Sequence, residues 1–385
     1  MLLDMTVGTE LWLERVREHY LENFIRHGGS KVKLVVGGAG TGKSHLLRWI
    51  AATAARMDYA TVFLSLREPD AETGDLLRFS NIVEFYKAVA KRLDLNSLWS
   101  GVCTRVVREL GYKPEDYDFD RPIISMLVER ERLPIAEAKR RLSEATASAW
   151  SHCGLSLAFV TFCFRLVACR GESIEQARAD LCFRWLSGEK LDLADARRVM
   201  LFERLSKPNA RVWLYSLVRM LTLAGWSGVV VLIDDLDFLP DGLNLQTGRP
   251  FYTPNQCKDI WESMRQLIDE GEKLPHLFVV LGGRSPFIED EKKGVKSYEA
   301  LWMRLQSGLA PGTDFNPWRD IVDADLLLRA LGGNSFCEQV GTSLSNVLEQ
   351  RGHARLYKEF TPDAEDSLLR QRVREAATMA DGEVA

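Results

Sequence analysis

Eight residues, Gly37-Gly-Ala-Gly-Thr-Gly-Lys-Ser44, have the types and the spacing to hold a phosphate chain. They fit G-x-x-x-x-G-K-[ST] at every fixed position and lie between an apolar run and a helical pattern, the context the motif requires. The backbone N–H groups of Gly37, Gly38, Ala39, Gly40, Thr41 and Gly42 can curl around an anion, and the end of the following helix adds partial positive charge. Lys43 then reaches the β- and γ-phosphates of ATP, and the Ser44 hydroxyl ligates Mg²⁺. His45 is counted with the cofactor-binding stretch, although a single histidine there more often packs or faces water.

A second group is acidic. Val229-Val-Val-Leu-Ile233 runs into Asp234 and Asp235, which puts Asp234 at the carboxyl end of a buried strand, the edge where open α/β sheets bind ligands. There it can share the Mg²⁺ with Ser44. The next acid in such enzymes polarises the attacking water and is usually glutamate. Asp235 keeps the charge but loses a methylene of reach, and a displacement of about 1 Å can cost ~100-fold in rate. Slow turnover is the expectation, unless backbone adjustment or Asp237 restores the geometry; a solvated turn after the strand is the alternative for the whole acidic cluster.

Elements that would position these groups follow from periodicity. KVKLVV (31–36) reads as a buried parallel strand, and Leu46, Leu47 and Ile50 after Lys43 share one helical face. TVFLSL (61–66) is a second strand, followed by a helix with Val83, Tyr86, Val89, Ala90 and Leu93 on one side. From about Asn96 to Ser206 strand signals give way to helical ones, including Ile135, Ala138, Leu142, Ala145 and Ala149 after Pro134, and a capping box of Ser173 with Gln176. Ser44 and Asp234 are 190 positions apart (234 minus 44), and this insertion accounts for the surplus. A helix from about Pro208, the strand GVVVLI, a helix through Ile260 and Leu267, and the strand LFVVLG (277–282) complete the core. The expected fold class is α/β: a P-loop NTPase, AAA-like parallel sheet flanked by helices, with segment 1–30 helical, a core at 31–95 and 207–315, an insertion at 96–206, and a short helical region at 316–385. Arg284 ends the LFVVLG strand, where such ATPases place a group that feels the γ-phosphate. Arg304 ends a later helix, from which it could reach a neighbouring subunit's nucleotide as a catalytic arginine or else pair with a nearby carboxylate.

Composition narrows the partners. The 385 residues are 46% hydrophobic and 27% charged, with a net charge of −4, so no protein-wide positive field exists to bind nucleic acid by counterion release. Contact with DNA is expected to be weak or indirect, local to Lys139-Arg140-Arg141 or Lys292-Lys293. The seven cysteines form no C-x-x-C pair, which argues against zinc and a disulfide framework. MLLDMTVGTELW lacks a basic n-region, and LSLAFVTFCF (155–164) is shorter than the ~20 residues of a membrane span. A cytoplasmic protein with no membrane contact is the expectation.

These pieces together resemble the BrxD-like ATP-binding proteins of the BREX phage-defence systems, AAA-type P-loop ATPases. The likeness runs from about Glu22 to Leu331. It is carried by Gly29-Ser-Lys-Val-Lys33 leading into GGAGTGKSHLLR, Trp185-Leu-Ser-Gly-Glu189, Pro208-Asn-Ala210, Ala224-Gly-Trp-Ser-Gly228 and VVVLIDD. It continues in Gly283-Arg-Ser-Pro-Phe-Ile-Glu-Asp290, Lys293-Gly294, Ser297-Tyr298, Ala300-Leu301, Arg304-Leu305 and Asn316-Pro317. The resemblance implies a bacterial ATPase encoded beside a helicase or other nucleic-acid enzyme, acting in anti-phage defence and able to assemble as a homo-oligomer. The nucleotide roles carry over to Gly37, Gly42, Lys43, Ser44 and Asp234, and to Arg304. Three departures bear on hydrolysis and lid closure: Asp235 for glutamate, Gly283-Arg284 for Gly-Thr, and a short lid without an evident Thr-Pro-Arg arginine. Two readings stay open, an ATPase coupled to a DNA-processing partner and a nucleotide-gated adaptor without productive turnover. A small-molecule kinase is weaker, since no second basic cluster for a phosphoryl acceptor stands out.

Overall fold

Runs of β-branched residues pair into one sheet because each is too apolar to face water on either side. The computed structural model describes residue 3 and residues 6–69, 76–78, 80–244, 247–305, 314–350 and 369–373. Its strands are β1 (Ser30–Val36), β2 (Tyr59–Ser65), β3 (Gly228–Asp234), β4 (Leu277–Gly283) and β5 (Ile321–Asp323). All pair in parallel, in the order β2-β3-β4-β1-β5. The two central strands, β3 and β4, are buried along their whole length. β4 therefore lies between the strand that leads into the phosphate loop and the strand that ends in the acids.

Strand alternation divides the apolar residues between two cores. Val230 and Leu232 face one side with Val35, Phe278, Val280 and the helix Lys43–Arg56. The helical residues Val16, Leu21 and Ile25 of the amino-terminal segment close the same side. Val229, Val231 and Ile233 face the other side, and that core continues without a break into the insertion. Each such side chain contributes about 1.5–3 kcal/mol on burial.

The insertion contains the helices Leu95–Glu109, Ile123–Glu131, Ile135–Trp150, Leu157–Ala168, Gln176–Leu186 and Leu193–Val199. Aromatic rings join it to the helix that leads into β3. Trp213, on the helix Ala210–Leu223, lies tilted at 4.4 Å from Trp185 and meets Phe159 and Tyr86 edge-on at 5.5 Å each. The helix starting after Pro134 buries Ala138, Leu142, Ala145 and Ala149 as its spacing predicts, and leaves Ile135 exposed.

Two expectations are corrected. No capping box forms at Ser173: the helix begins at Gln176 with no side-chain cap, and Ile174 is exposed. Gln176 instead donates to Asp180, one turn on. A complete capping box occurs at Thr253 and Gln256, ahead of the helix Pro254–Asp269. The segment from 316 onward, expected to be helical, also supplies β5, whose three residues pair only with the end of β1. A run of three is too short to register as a strand by alternation. The helices Ala324–Ala330 and Asn334–Gln350 follow it, and part of the terminal region lies outside the described residues. Among those described, no helix is long and apolar enough to cross a membrane. All seven cysteines are free, six of them buried.

Lys33 sits in β1 with no exposed surface, donating to the Arg319 carbonyl at 2.7 Å beneath the Tyr20 ring. Burial lowers its pKa to about 8, against the pull of nearby Asp320. Below that pH both folded and unfolded chains hold the proton; above it, up to the ordinary 10.5, only the unfolded chain does. Stability contributed by this group therefore rises with pH through that window. Replacing a buried cation by an apolar isostere is often neutral or stabilising. Lys33→Met is thus expected to equal or exceed the wild type in urea midpoint at pH 7, with the difference shifting toward the wild type by pH 10. A difference constant across that range would show that Lys33 does not titrate in this way.

Candidate functional site

The carboxyl edge of the sheet gathers the chemistry. After Val36 the chain turns through the glycine loop, with Gly40 and Gly42 at φ of 74° and 88°, a region that L side chains seldom adopt. Gly42 is also the N-cap of the helix Lys43–Arg56, and no side chain caps that end. An anion at that end would be favoured by the helix dipole. A Cβ on Gly37 would meet Thr41 Oγ1 at 2.9 Å and the Ala324 side chain at 3.0 Å, so the loop closes only with glycine there.

Lys43 is buried and folds back onto the Gly38 carbonyl at 2.5 Å, with Thr41 Oγ1 at 3.4 Å. Burial lowers its pKa, opposed by the charges of Asp237, Asp234 and Asp325. Opposite it, Asp234 is buried and takes a hydrogen bond from the Ser44 side chain. Burial raises the Asp234 carboxyl, while the Ser44 bond and the Asp235 N–H at 2.9 Å pull it down. A hydroxyl in the first turn of the helix Lys43–Arg56 and a buried carboxylate at the end of β3 form the oxygen pair that Mg²⁺ takes, and the uncapped helix end suits a phosphate chain. The residues present fit both.

β4 makes room for this arrangement. A Cβ on Gly282 would approach Leu47 to 2.9 Å and Asp234 Oδ1 to 3.2 Å, and one on Gly283 would meet the Phe287 ring at 2.6 Å.

Asp235 has a different setting from that of a free, strand-end acid. Its φ is 63°, in the left-handed region where Asp and Asn are tolerated and longer side chains are less so. Its carboxylate accepts from Ser65 at 2.7 Å and lies 3.8 Å from Arg67, both at the end of β2. The short acid thus suits the backbone, and its charge leans toward β2. Asp237, two residues on, is the more enclosed acid. It binds the Arg284 backbone N–H at 3.0 Å, the Arg284 guanidinium at 2.8 Å and Arg67 at 2.7 Å. Burial works to raise its carboxyl, and the Arg284 and Arg67 hydrogen bonds overcome that, leaving it below the ordinary range.

A cleft of about 580 Å³ opens beside the loop. One wall is Gly40–Leu46; the others come from Thr6, Val7, Gly8 and Leu13 at the amino end and from Leu327, Leu331, Phe336, Val340 and Leu344 after β5. His45 lines it and shares a 2.8 Å hydrogen bond with Thr6; burial lowers its pKa, so the ring is neutral at pH 7. Arg370, in the described stretch 369–373, brings a cation to the same cleft, although no lid arginine was evident in the sequence. Asp325 was also missed: its Oδ2 accepts the Gly38 N–H at 2.8 Å, tying the helix after β5 to the loop. An Asp-Ala-Asp run after an unrecognised strand carries no signal by itself.

Arg304 is engaged elsewhere. Its guanidinium chelates Asp269, one bond at 2.7 Å, at the end of the helix Pro254–Asp269. The turn Gly271–Lys273 that follows lies against Ser30, at the start of β1, so Arg304 is a strand's length, roughly 20 Å, from its own loop. The basic runs are likewise answered: Lys139 pairs with Glu172, Arg140 with Glu137 and Glu144, and Arg141 with Glu131. Lys293 binds the Pro240 carbonyl at 3.0 Å.

A family model described as BREX system ATP-binding protein BrxC/D matches residues 2–382. A search of curated proteins finds no match.

The tight fit at β4 has a measurable consequence. Gly282→Val is expected to lower stability by about 1–3 kcal/mol through overpacking, seen as a lower urea midpoint. A midpoint equal to the wild type would mean that the close approach of Leu47 and Asp234 is not a constraint.

Proposed function

This chain belongs to the family of BREX system ATP-binding proteins BrxC/D, and on that premise we propose that it is an AAA-type P-loop ATPase. It binds Mg²⁺-ATP, hydrolyses it slowly, and couples its nucleotide state to a DNA-processing partner such as an operon-encoded helicase in anti-phage defence. The observation that carries this reading is the helix end at Lys43 without a side-chain cap, whose Ser44 is hydrogen-bonded to the buried Asp234 at the end of β3. The strand order supports the AAA-type assignment, since β4 separates the loop strand from the acid strand.

In this reading Gly37 to Ser44 cradle the phosphates, Lys43 leaves the Gly38 carbonyl for the β- and γ-phosphates, and Ser44 with Asp234 holds Mg²⁺. The bound ion would supply charge neutralisation on the bridging oxygens. The nucleobase takes the apolar end of the cleft between Val7, Leu13 and Phe336, with neutral His45 in the wall. Asp235 is the acid that orients water, and Arg370 approaches from the lid side. Arg304 would act only in trans, on the nucleotide of a second copy, and must first release Asp269. A nucleotide-gated adaptor that binds ATP without productive hydrolysis is the second reading. It is favoured by one feature, the commitment of the Asp235 carboxylate to Ser65.

Lys43→Ala is expected to weaken Mg²⁺-ATP binding by about 10- to 100-fold, the worth of a charged hydrogen bond of ~1.5–3 kcal/mol. Calorimetric titration checks this, and an unchanged affinity would sink the site. Asp235→Asn keeps the left-handed backbone and the Ser65 contact while removing charge, so ATP affinity should hold while phosphate release falls. Equal rates in mutant and wild type, with the partner helicase and DNA present, would favour the adaptor. Mixing Arg304→Ala with Lys43→Ala protein should restore part of the turnover each lacks; no restoration would remove Arg304 from the site.

A further inference from the structure

We infer that the helical insertion carries a second binding site, a cleft for an amphiphilic carboxylate whose apolar body lies between two helices and whose charge is taken by Arg165. It stands apart from the nucleotide reading above and shares no lining residue with the loop cleft.

The apolar run LSLAFVTFCF (155–164) is richer than one buried helix face requires. In the helix Leu157–Ala168 it commits Phe159, Phe162 and Cys163, with Leu166 and Val167 beyond it, to the insertion core. Apolar residues are left over on the remaining surface: Leu157 is 81% exposed, and Val160 and Phe164 are half-buried. The helix Ile135–Trp150 packs alongside and lends Leu142 and Thr146 to the same space. Ile124 and Gly171 line it too, joined by a hydrogen bond from the Ile124 N–H to the Gly171 carbonyl at 3.0 Å.

The result is a cleft of about 530 Å³, within the roughly 300–1,000 Å³ that small-molecule sites occupy. Two of its hydroxyl groups are already committed: Thr146 donates to the Leu142 carbonyl at 2.6 Å and Thr161 to the Leu157 carbonyl at 2.9 Å, each one turn back on its own helix. The walls therefore offer mainly carbon.

Charge enters at two points, and only one is answered. Lys139 and Glu172 pair at 2.7 Å, both well exposed. Arg165 has no hydrogen bond or ion pair among the described residues, and its Nε is buried without an acceptor. Glu175, the acid that acts on Cys169 one turn further on, is taken by Arg178 at 3.0 Å. The lining thus holds two cations against one carboxylate, and the uncommitted charge is the one set on the helix with the surplus apolar face. A partly desolvated guanidinium without a partner is unfavourable, and its planar fork matches a carboxylate through two parallel hydrogen bonds. That combination selects an anion with an apolar body over a neutral or cationic ligand, and over a bare oxyanion, which would leave the carbon walls wet.

The test titrates the full chain calorimetrically with sodium dodecanoate, hexanoate and dodecyltrimethylammonium, all below their micelle concentrations. The proteins are wild type, Arg165→Gln, Arg165→Lys and Thr161→Phe, whose ring would occupy the cleft, each first checked for a cooperative thermal transition. The expected result is one saturable dodecanoate site in the wild type, a loss of about 10-fold or more in Arg165→Gln, the worth of one charged hydrogen bond, and partial recovery in Arg165→Lys. Thr161→Phe should show no saturable binding, the ammonium should not saturate, and hexanoate should bind at least about 10-fold more weakly because it buries fewer methylenes. No saturable dodecanoate site, an affinity unchanged in Arg165→Gln, or equal binding of the ammonium would overturn the inference. So would a wild-type dimer by light scattering that Thr161→Phe disrupts, which would make the cleft an interface between copies. Should Arg165→Gln fail to fold, the three ligands on the wild type still decide.

Discussion

Parallel pairing is the constraint from which the rest of this structure follows. In a parallel sheet every strand delivers its carboxyl end to the same edge, so the glycine loop after β1, the acids after β3, Arg284 after β4 and Arg67 after β2 meet although they are far apart in sequence. The edge brings Asp234, Asp235, Asp237 and Asp325 together with Lys43, Arg67 and Arg284. No single segment contains this set.

Collecting charges on a buried edge is costly, and the fold offsets the cost by pairing. Lys43 and Asp234 are both desolvated, and each is pulled back toward its charged form by the other's field. Asp237 is more enclosed still and keeps its charge because two arginines bind it. The large apolar core that joins the insertion to the sheet, with Trp185, Trp213 and Phe159 in ring contact, supplies stability against which such polar burial is tolerated. The insertion thus serves the site without contributing a residue to the loop cleft.

The carboxyl-terminal elements work through one backbone residue. Gly38 gives its N–H to Asp325 and its carbonyl to Lys43 and Thr41. A change in the position of the helix after β5 is therefore felt at the lysine through a single residue. The same elements make the apolar side of the cleft with the amino-terminal segment, so both ends of the described chain close over the loop.

The sequence by itself determined the parts whose signal is local. GGAGTGKS needs Gly40 and Gly42 for positive φ, VVVLIDD and LFVVLG are apolar enough to be central strands, and the 134–149 period needs only helix geometry to find its buried face. Ser44 and Asp234 could be paired because motif chemistry says that both must hold one ion. What only the tertiary structure decided depends on register and on contacts between distant segments. Three residues of β5 gain strand character solely from pairing with β1, Asp325 matters because that pairing points the next helix at Gly38, and Arg67 and Asp237 meet because β2 and β3 end level. Ser173 had the letters of a cap, but the helix began three residues later. Asp235 illustrates the division: the sequence shows a shortened acid, while the reason, a left-handed backbone with the carboxylate turned to Ser65, exists only where the ends of β2 and β3 lie side by side.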